Sequence, residues 1–174
     1  MADEATLRSL IREIVDYPET GVTFRDITPL LGDGAALATT IDLLADRFSD
    51  VRIDRIVGIE SRGFIFAAPL AYRLGAAFVP VRKAGKLPWA VVREEYELEY
   101  GTDKLEIHRD AIHPGERILV IDDVLATGGT AAATSRLIEA LDGQIVGLGF
   151  VIEIEELNGR NHLQGRNVEV LLGY

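Results

Sequence analysis

Two adjacent carboxylates and a loop of small residues form the part of the sequence best suited to binding a ligand. Asp122 and Asp123 follow the aliphatic run 118–121, and Ala-Thr-Gly-Gly-Thr comes next at 126–130. Burying an ionised carboxylate without a partner costs several kcal/mol. We therefore expect the two side chains to meet a polar ligand, a metal or solvent. The alternative is that they only cap neighbouring loops and helix ends.

The loop after the carboxylates favours an anion. Small residues expose backbone N–H groups, and the start of a helix adds about half a unit of positive charge. The sequence lacks the glycine-lysine-serine/threonine ending of a P-loop, since Leu87 follows Gly85 and Lys86. A ribose 5-phosphate fits both halves of the motif, because its phosphate suits the loop and its hydroxyls can donate to the two carboxylates.

Charge and composition narrow the class of protein. The chain has 174 residues, 48% of them hydrophobic, which suits a single globular domain. Its net charge of -10 disfavours nucleic acid and anionic membranes as partners. The sequence contains no cysteine, its first residues lack the pattern of a signal peptide, and no apolar run reaches about 18 residues. We expect a cytoplasmic enzyme or binding protein.

The elements that must position these residues alternate along the chain. Short β-branched runs at 55–59, 77–81, 117–121 and 145–154 predict buried parallel strands, and helix-length segments lie at 62–75 and 127–143. We predict a three-layer α/β fold, with a mostly parallel central sheet and helices on both faces. Ligands bind such sheets at the carboxyl ends of the strands. The residues placed there are Glu60, Ser61, Arg62, Arg82, Lys83, Asp122 and Asp123.

Other segments are predicted as follows. Apolar spacing in the first residues indicates a helix that continues to Val15 and ends before Pro18. An irregular connector follows over 17–33, and Asp33 is expected to cap a helix that presents Leu37 and Phe48 on one side. The last residues, 167–174, indicate a final strand.

The segment 89–108 breaks the alternation. Tyr96, Leu98 and Tyr100 fall on one face of an extended chain, and Glu95, Glu97 and Glu99 fall on the other. So acidic a strand cannot be central in the sheet. We predict a hairpin that turns at "GTDK", leaves the sheet and forms a candidate lid over the ligand.

The motifs resemble a known family. "VIDDVLATGGT" resembles the phosphoribosyl pyrophosphate signature of type I phosphoribosyltransferases. "GVTFRDITPLL", "GIESRGFIFAAPLA", "VPVRKAGKLP" and "YELEYGTDKLEIHRDAI" are similar to successive motifs of the adenine phosphoribosyltransferase family. This resemblance runs from Tyr17 to about Leu141. It implies transfer of a phosphoribosyl group from phosphoribosyl pyrophosphate to adenine, giving AMP and pyrophosphate for purine salvage.

The resemblance also implies roles for individual residues. The purine would lie against an N-terminal base-binding segment, 17–32, and Glu99 on the lid hairpin, 89–108, would assist proton transfer at N7. Mg²⁺ would be held mainly by substrate oxygens and water, without a direct protein site, and a homodimer is expected. The substrate-binding residues would be Thr23, Phe24, Arg25, Ser61, Arg62, Arg82, Lys83, Lys86, Tyr100, Asp122, Asp123, Ala126, Thr127, Gly128, Gly129 and Thr130.

Several alternatives stay open at this point. Without the resemblance, Phe24 is better interpreted as a core residue, Arg25 as the partner of Asp26, and Glu99 as one of several exposed glutamates. Each of the cations could be a solvated surface residue. The chain could also transfer phosphoribose to hypoxanthine, guanine or xanthine, or be a regulator that binds a sugar phosphate without turnover.

Overall fold

Helices and strands cover most of residues 4–97 and 102–174, which are the residues that this computed structural model describes. Residues up to Leu43 form one compact unit and Leu44–Tyr174 form another. None of the described helices has the length and apolar character needed to cross a membrane. The elements are α1 (Glu4–Ser9), β1 (Arg12–Val15), β2 (Thr23–Asp26), α2 (Thr28–Gly32), α3 (Gly34–Arg47), β3 (Arg55–Ile59), α4 (Gly63–Leu74), β4 (Ala77–Lys83), β5 (Val91–Glu97), β6 (Thr102–His108), β7 (Arg117–Leu125), α5 (Gly129–Glu139), β8 (Gln144–Glu153) and β9 (Val168–Gly173), with 3-10 turns at Glu155–Leu157 and Gly159–Leu163.

The N-terminal unit differs from the sequence prediction. The predicted helix to Val15 is wrong, because α1 ends at Ser9 and β1 pairs antiparallel with β2. The predicted irregular connector therefore contains β2 and the short helix α2. Helical spacing and a short β-branched strand look alike over four residues, and pairing with the distant β2 decides the conformation.

The start of α3 agrees with its prediction. The Asp33 carboxylate accepts hydrogen bonds from the N–H groups of Ala35 and Ala36, at 2.9 and 3.0 Å. These groups have no acceptor within the helix, so the carboxylate satisfies them as an N-cap does.

One seven-stranded sheet organises the rest of the chain. Its order is β5-β6-β4-β3-β7-β8-β9. The five strands from β4 to β9 in this order run parallel, while β6 is antiparallel to both β4 and β5. The mostly parallel sheet is confirmed, and the carboxyl ends of β3, β4 and β7 lie at one edge.

Helices cover both faces of this sheet. Val57 and Ile59 of β3 belong to the same buried cluster as Ala133 and Leu137 of α5. Gly58, whose face is opposite because side chains alternate along a strand, lies against Ala67 of α4. The helices α4 and α5 therefore pack on opposite faces, and the predicted three-layer arrangement is confirmed.

The two carboxylates lie within a strand and not after it. β7 was predicted to end at Ile121 but continues to Leu125, since β8 pairs with it as far as the partners Leu125 and Glu153. Its pairing with β3 stops at the partners Gly58 and Ile121. Beyond Ile121 the edge of β7 that faces β3 has no strand partner among the described residues. Asp122 and Asp123 therefore lie on the part of β7 that extends past its pairing with β3.

The hairpin joins the sheet instead of leaving it. β6 pairs with the end of β4, at Arg82 with Glu106 and Lys83 with Leu105. The acidic strand β5 is the outermost strand, which agrees with the prediction that it is not central. Thr102, Asp103 and Lys104, which were placed in the turn, belong to β6. Leu105 and Ile107 are buried, as the alternation predicted.

Candidate functional site

The loop 126–130, which the sequence predicts to bind a phosphate, connects β7 to α5. Gly128 precedes the first residue of α5, and no side chain caps the helix. The first turn of a helix has N–H groups without intrahelical acceptors, so the start of α5 offers donors and a positive dipole end to an anion. Gly128 has a φ of +84°, a conformation that side chains rarely adopt. Thr127 is exposed and Thr130 is half-buried.

A turn from the C-terminal part of the chain supports this loop. The backbone of Gly159 lies directly against the backbone of Gly128 and against the carbonyl oxygen of Ala126. A Cβ atom on Gly128 would collide with the carbonyl oxygen of Gly159, and one on Gly159 would collide with the carbonyl oxygen of Ala126. The loop conformation therefore depends on a residue about thirty positions later in the chain.

Asp122 lies where α4 begins. Gly63 approaches it so closely that a Cβ atom there would lie 2.7 Å from Asp122 Oδ1 and 3.0 Å from Ile121 O, so a side chain at this position would displace the Asp122 carboxylate. The same oxygen accepts the N–H of Asp123 at 2.9 Å. Burial raises the pKa of the Asp122 carboxyl well above its ordinary range, and the negative charge of Asp123 raises it further. A neutral hydrogen-bond donor such as a hydroxyl would stabilise the ionised form of a carboxyl in this position.

Asp123 forms an ion pair with Arg62. Arg62 Nε lies 2.6 Å from Asp123 Oδ2, and the Asp123 side chain is 8% exposed against 42% for Arg62. The arginine comes from the segment after β3 and the carboxylate from β7. The ion pair therefore brings together two motifs that the sequence analysis had assigned to one ligand.

Glu60 contacts Arg82 and Lys83 at the end of β4 and Lys86 just after it. Arg82 Nε lies 3.2 Å from its carboxylate, the Lys83 N–H donates to it at 3.0 Å, and Lys86 Nζ forms a short ion pair with it. Burial of Glu60 acts to raise its pKa, but the hydrogen bonds from Lys86, Lys83 and Arg82 outweigh burial and keep the pKa below its ordinary value. Arg82 and Lys86 thus share the Glu60 carboxylate at the end of β3, with side chains that are 34% and 47% exposed.

Lys83 is the fourth cation at the carboxyl ends of the strands, and its side chain contacts the hairpin. Lys83 Nζ lies 3.0 Å from Asp103 Oδ2, and this carboxylate raises the pKa of Lys83. A cavity of about 480 Å³ lies next to the hairpin, between β5, β6 and α5. Its walls include Tyr96, Gly129 and Arg136. One residue of the loop 126–130, Gly129, lines this cavity, and the carboxylates Asp122 and Asp123 do not.

The N-terminal unit holds the three residues expected to contact a purine. Phe24 is half-buried, and its ring meets that of Tyr17 edge to face at 5.4 Å between centroids. Arg25 forms an ion pair with Glu13 across the β1–β2 ladder, while Arg12 lies 3.5 Å from Asp26. Thr23 is exposed at the start of β2.

Two expected site residues, Glu99 and Tyr100, lie outside the described residues. Within residues 4–97 and 102–174, no group of three or more acidic or histidine side chains has an arrangement that could hold a metal ion.

Sequence reasoning placed Glu60 at the carboxyl ends of the strands without giving it a role, and it missed Gly159 and Asp103. Glu60 organises the cations, Gly159 supports the loop, and Asp103 contacts Lys83. Glu60 carried a signal, because an acid directly before Ser61 and Arg62 needs a cationic partner. Nothing in the sequence relates Gly159 to residue 128, because their contact depends on how the chain folds.

The fold and the site define a class of protein. A family model described as the phosphoribosyl transferase domain matches residues 29–167. This range contains the strands β3 to β8, the two carboxylates of β7 and the loop that opens α5.

Individual relatives give a narrower result. Adenine phosphoribosyltransferase of Chloroflexus aurantiacus is 58% identical over 168 residues, covering 97% of each chain. The crystal structure of adenine phosphoribosyltransferase from Thermoanaerobacter pseudethanolicus has a TM-score of 0.96 at 47% identity, covering 98% of this chain and 99% of its own. The Saccharomyces cerevisiae enzyme, solved with D-2,5-dideoxy-2,5-imino-altritol 1,6-bisphosphate and adenine, has a TM-score of 0.91 at 40% identity, covering 97% of each chain. The chain belongs to the adenine phosphoribosyltransferase family.

Proposed function

We propose that this chain transfers the 5-phosphoribosyl group of phosphoribosyl pyrophosphate to adenine, giving AMP and pyrophosphate for purine salvage. The observation that carries the proposal is the continuity of β7 and α5. Two carboxylates lie where β7 extends beyond β3, and an uncapped helix start follows within a few residues. A ligand with vicinal hydroxyls next to a phosphate matches this order of groups.

The sugar phosphate would be held by the end of β7 and the loop. The backbone of Ala126, Thr127, Gly128, Gly129 and Thr130 would surround the 5-phosphate, with the two threonine hydroxyls as further donors. Asp122 and Asp123 would accept hydrogen bonds from the ribose hydroxyls. The raised pKa of Asp122 supports a hydroxyl at this position, because a new donor would stabilise the ionised carboxylate.

The pyrophosphate would be bound by the cations at the ends of β3 and β4. Ser61, Arg62, Arg82, Lys83 and Lys86 are the proposed ligands. Their present partners are Glu60, Asp103 and Asp123. Binding would exchange or share these contacts with phosphate oxygens, which prefer the planar donors of arginine. A second subunit of a homodimer could contribute cations here as well.

The base would lie against the segment 17–32. We assign the purine contacts to Thr23, Phe24 and Arg25. A 6-amino and a 6-oxo purine exchange donor and acceptor roles at N1 and at position 6, so backbone groups that fit one leave buried polar groups unpaired with the other. The half-buried ring of Phe24 supports an aromatic contact with the base.

The transfer step forms one bond and breaks another. N9 of adenine attacks C1 of the ribose, the bond from C1 to the pyrophosphate oxygen breaks, and its electron pair leaves with pyrophosphate. Glu99 would assist movement of the purine proton through N7, and Tyr100 would help to close the site. The lid hairpin, 89–108, would exclude water, because fixed charges stabilise an oxocarbenium-like transition state best in a dry site.

Mg²⁺ is the proposed cofactor. It prefers one or two carboxylates together with phosphate oxygens and water, and the pair Asp122 and Asp123 fits an ion held through water beside the substrate. The ion would neutralise charge on the departing pyrophosphate. A single domain over 1–174 and a cytoplasmic location also belong to the proposal and rest on the sequence. The homodimer rests on the family resemblance alone.

Steady-state kinetics with a panel of bases test this function. We expect AMP and pyrophosphate from adenine, and a kcat/KM for adenine well above those for hypoxanthine, guanine and xanthine. A higher kcat/KM for a 6-oxopurine would contradict the assignment of the base. Binding of phosphoribosyl pyrophosphate without turnover of any base would favour a regulator instead.

A further inference from the structure

Tyr96 is a buried polar residue near the C-terminal end of β5. It is 8% exposed and belongs to the same buried cluster as Ala131 and Ala133 of α5. A tyrosine hydroxyl in such a position needs a hydrogen-bond partner. Its surroundings therefore show what the hairpin is attached to.

The Tyr96 side chain links two elements. Its hydroxyl lies 3.5 Å from Asp103 Oδ2, across the ladder in which the two residues are direct partners. Tyr96 also belongs to the buried cluster that includes Ala131 of α5, and Glu94 of the same strand forms an ion pair with Arg136 of α5. The hairpin is thus attached to α5, the helix whose start is proposed to hold the 5-phosphate.

Asp103 connects this contact to the other end of the proposed substrate. Its Oδ2 lies 3.0 Å from Lys83 Nζ, and its Oδ1 accepts the N–H of Lys104 at 2.8 Å. Burial acts to raise the pKa of Asp103, but the hydrogen bonds from Lys83 and Lys104 outweigh burial and leave the pKa lowered. The carboxylate is therefore ionised at neutral pH and suited to fixing a cation.

We propose that Asp103 is a positioning residue, which holds Lys83 at the pyrophosphate end at a fixed distance from α5, against which its strand partner Tyr96 packs. Phosphoribosyl pyrophosphate carries phosphate at both ends, so its affinity depends on the spacing of Lys83 and the start of α5. Asp103 touches neither end of the substrate. This inference rests on the proposed function.

The test replaces Asp103 in the full-length protein. Asp103→Asn keeps the size of the side chain and removes its charge, so we expect the Kd for phosphoribosyl pyrophosphate with Mg²⁺ to rise about 10-fold in calorimetric titrations. The KM for adenine should stay within about twofold. Glu95→Gln is the matched control, because Glu95 pairs with Lys104 on the same hairpin at 2.9 Å and is expected to leave both constants unchanged.

A double-mutant cycle separates positioning from loss of structure. If Asp103 acts through Lys83, adding Asp103→Asn to Lys83→Met should change the Kd by less than about threefold. Additive effects, an unchanged Kd in Asp103→Asn, or an equal loss of adenine affinity would each overturn the proposal. Failure of the wild-type protein to make AMP would contradict the proposed function instead, and the binding titrations would still measure the effect of Asp103.

Discussion

Gly159 and Gly128 meet backbone to backbone, so a turn near the C-terminus supports the loop that opens α5. Gly128 needs its positive φ for the loop, while Gly159 needs only the absence of a side chain. The two glycines can therefore be distinguished by experiment. Gly159 tests the support without changing a proposed substrate ligand.

Gly159→Ala should weaken substrate binding. The added methyl group would collide with Ala126 O and with the backbone of Gly128, and such overpacking typically costs about 1–3 kcal/mol. We expect the KM for phosphoribosyl pyrophosphate to rise roughly 10-fold and Tm to fall by about 2–8 °C. Steady-state kinetics and differential scanning fluorimetry measure both quantities.

Gly34→Ala is the control for this substitution. Gly34 begins α3 and has no atom within 4 Å of an added Cβ, so the exchange should preserve both KM and Tm. If Gly159→Ala behaved like this control, the contact between the two turns would have no role in binding.

Asp122→Asn should stabilise the ligand-free protein at neutral pH. Because folding raises the pKa of Asp122, its ionised form is disfavoured in the folded state. At a pH below the pKa that Asp122 has in the unfolded state, its carboxyl does not reduce the stability of the fold. Stability is lost as the pH rises through the higher pKa that Asp122 has in the folded state. The amide removes this loss and keeps the oxygen that accepts the Asp123 N–H.

The stability gain of Asp122→Asn should consequently depend on pH. We expect equal Tm values for mutant and wild type near pH 4, and a mutant Tm higher by at least about 2 °C at pH 8. The mutant should bind phosphoribosyl pyrophosphate more weakly, because the amide is a poorer acceptor for a ribose hydroxyl. A mutant that is less stable at pH 8 would show that the buried charge is compensated.

Glu99→Gln should slow the chemical step. General acid-base groups contribute roughly 10²–10⁴-fold to rate, so we expect kcat to fall at least about 100-fold while the KM for phosphoribosyl pyrophosphate changes less than about threefold. Glu95→Gln, in the same hairpin, should retain the wild-type kcat. An unchanged kcat in Glu99→Gln would remove Glu99 from the mechanism.

The sequence predicted the strands of the central sheet well, because the apolar pattern that identifies a buried parallel strand is local. The segment 55–59 forms β3 with the predicted bounds, since a buried parallel strand is apolar on both faces and its pattern does not depend on its partners. β1 shows the opposite case. Its four residues were assigned to a helix, and only pairing with Thr23–Asp26 makes them a strand.

The ligand motifs could also be identified from sequence, because each is continuous. The contacts between these motifs could not be identified from the sequence. Asp123 meets Arg62, Glu60 meets Lys86, and Asp103 meets Lys83, and in each case the partners are at least 20 residues apart. The extension of β7 to Leu125 was missed for a similar reason, because it depends on the length of β8.

A crystal structure with AMP bound tests the proposed site most directly. We predict that the 5-phosphate accepts hydrogen bonds from the N–H groups of the loop 126–130. The ribose hydroxyls should donate to Asp122 and Asp123, and the adenine ring should contact Phe24. AMP bound with its phosphate away from the start of α5, or with its ribose away from the two carboxylates, would contradict the proposed site.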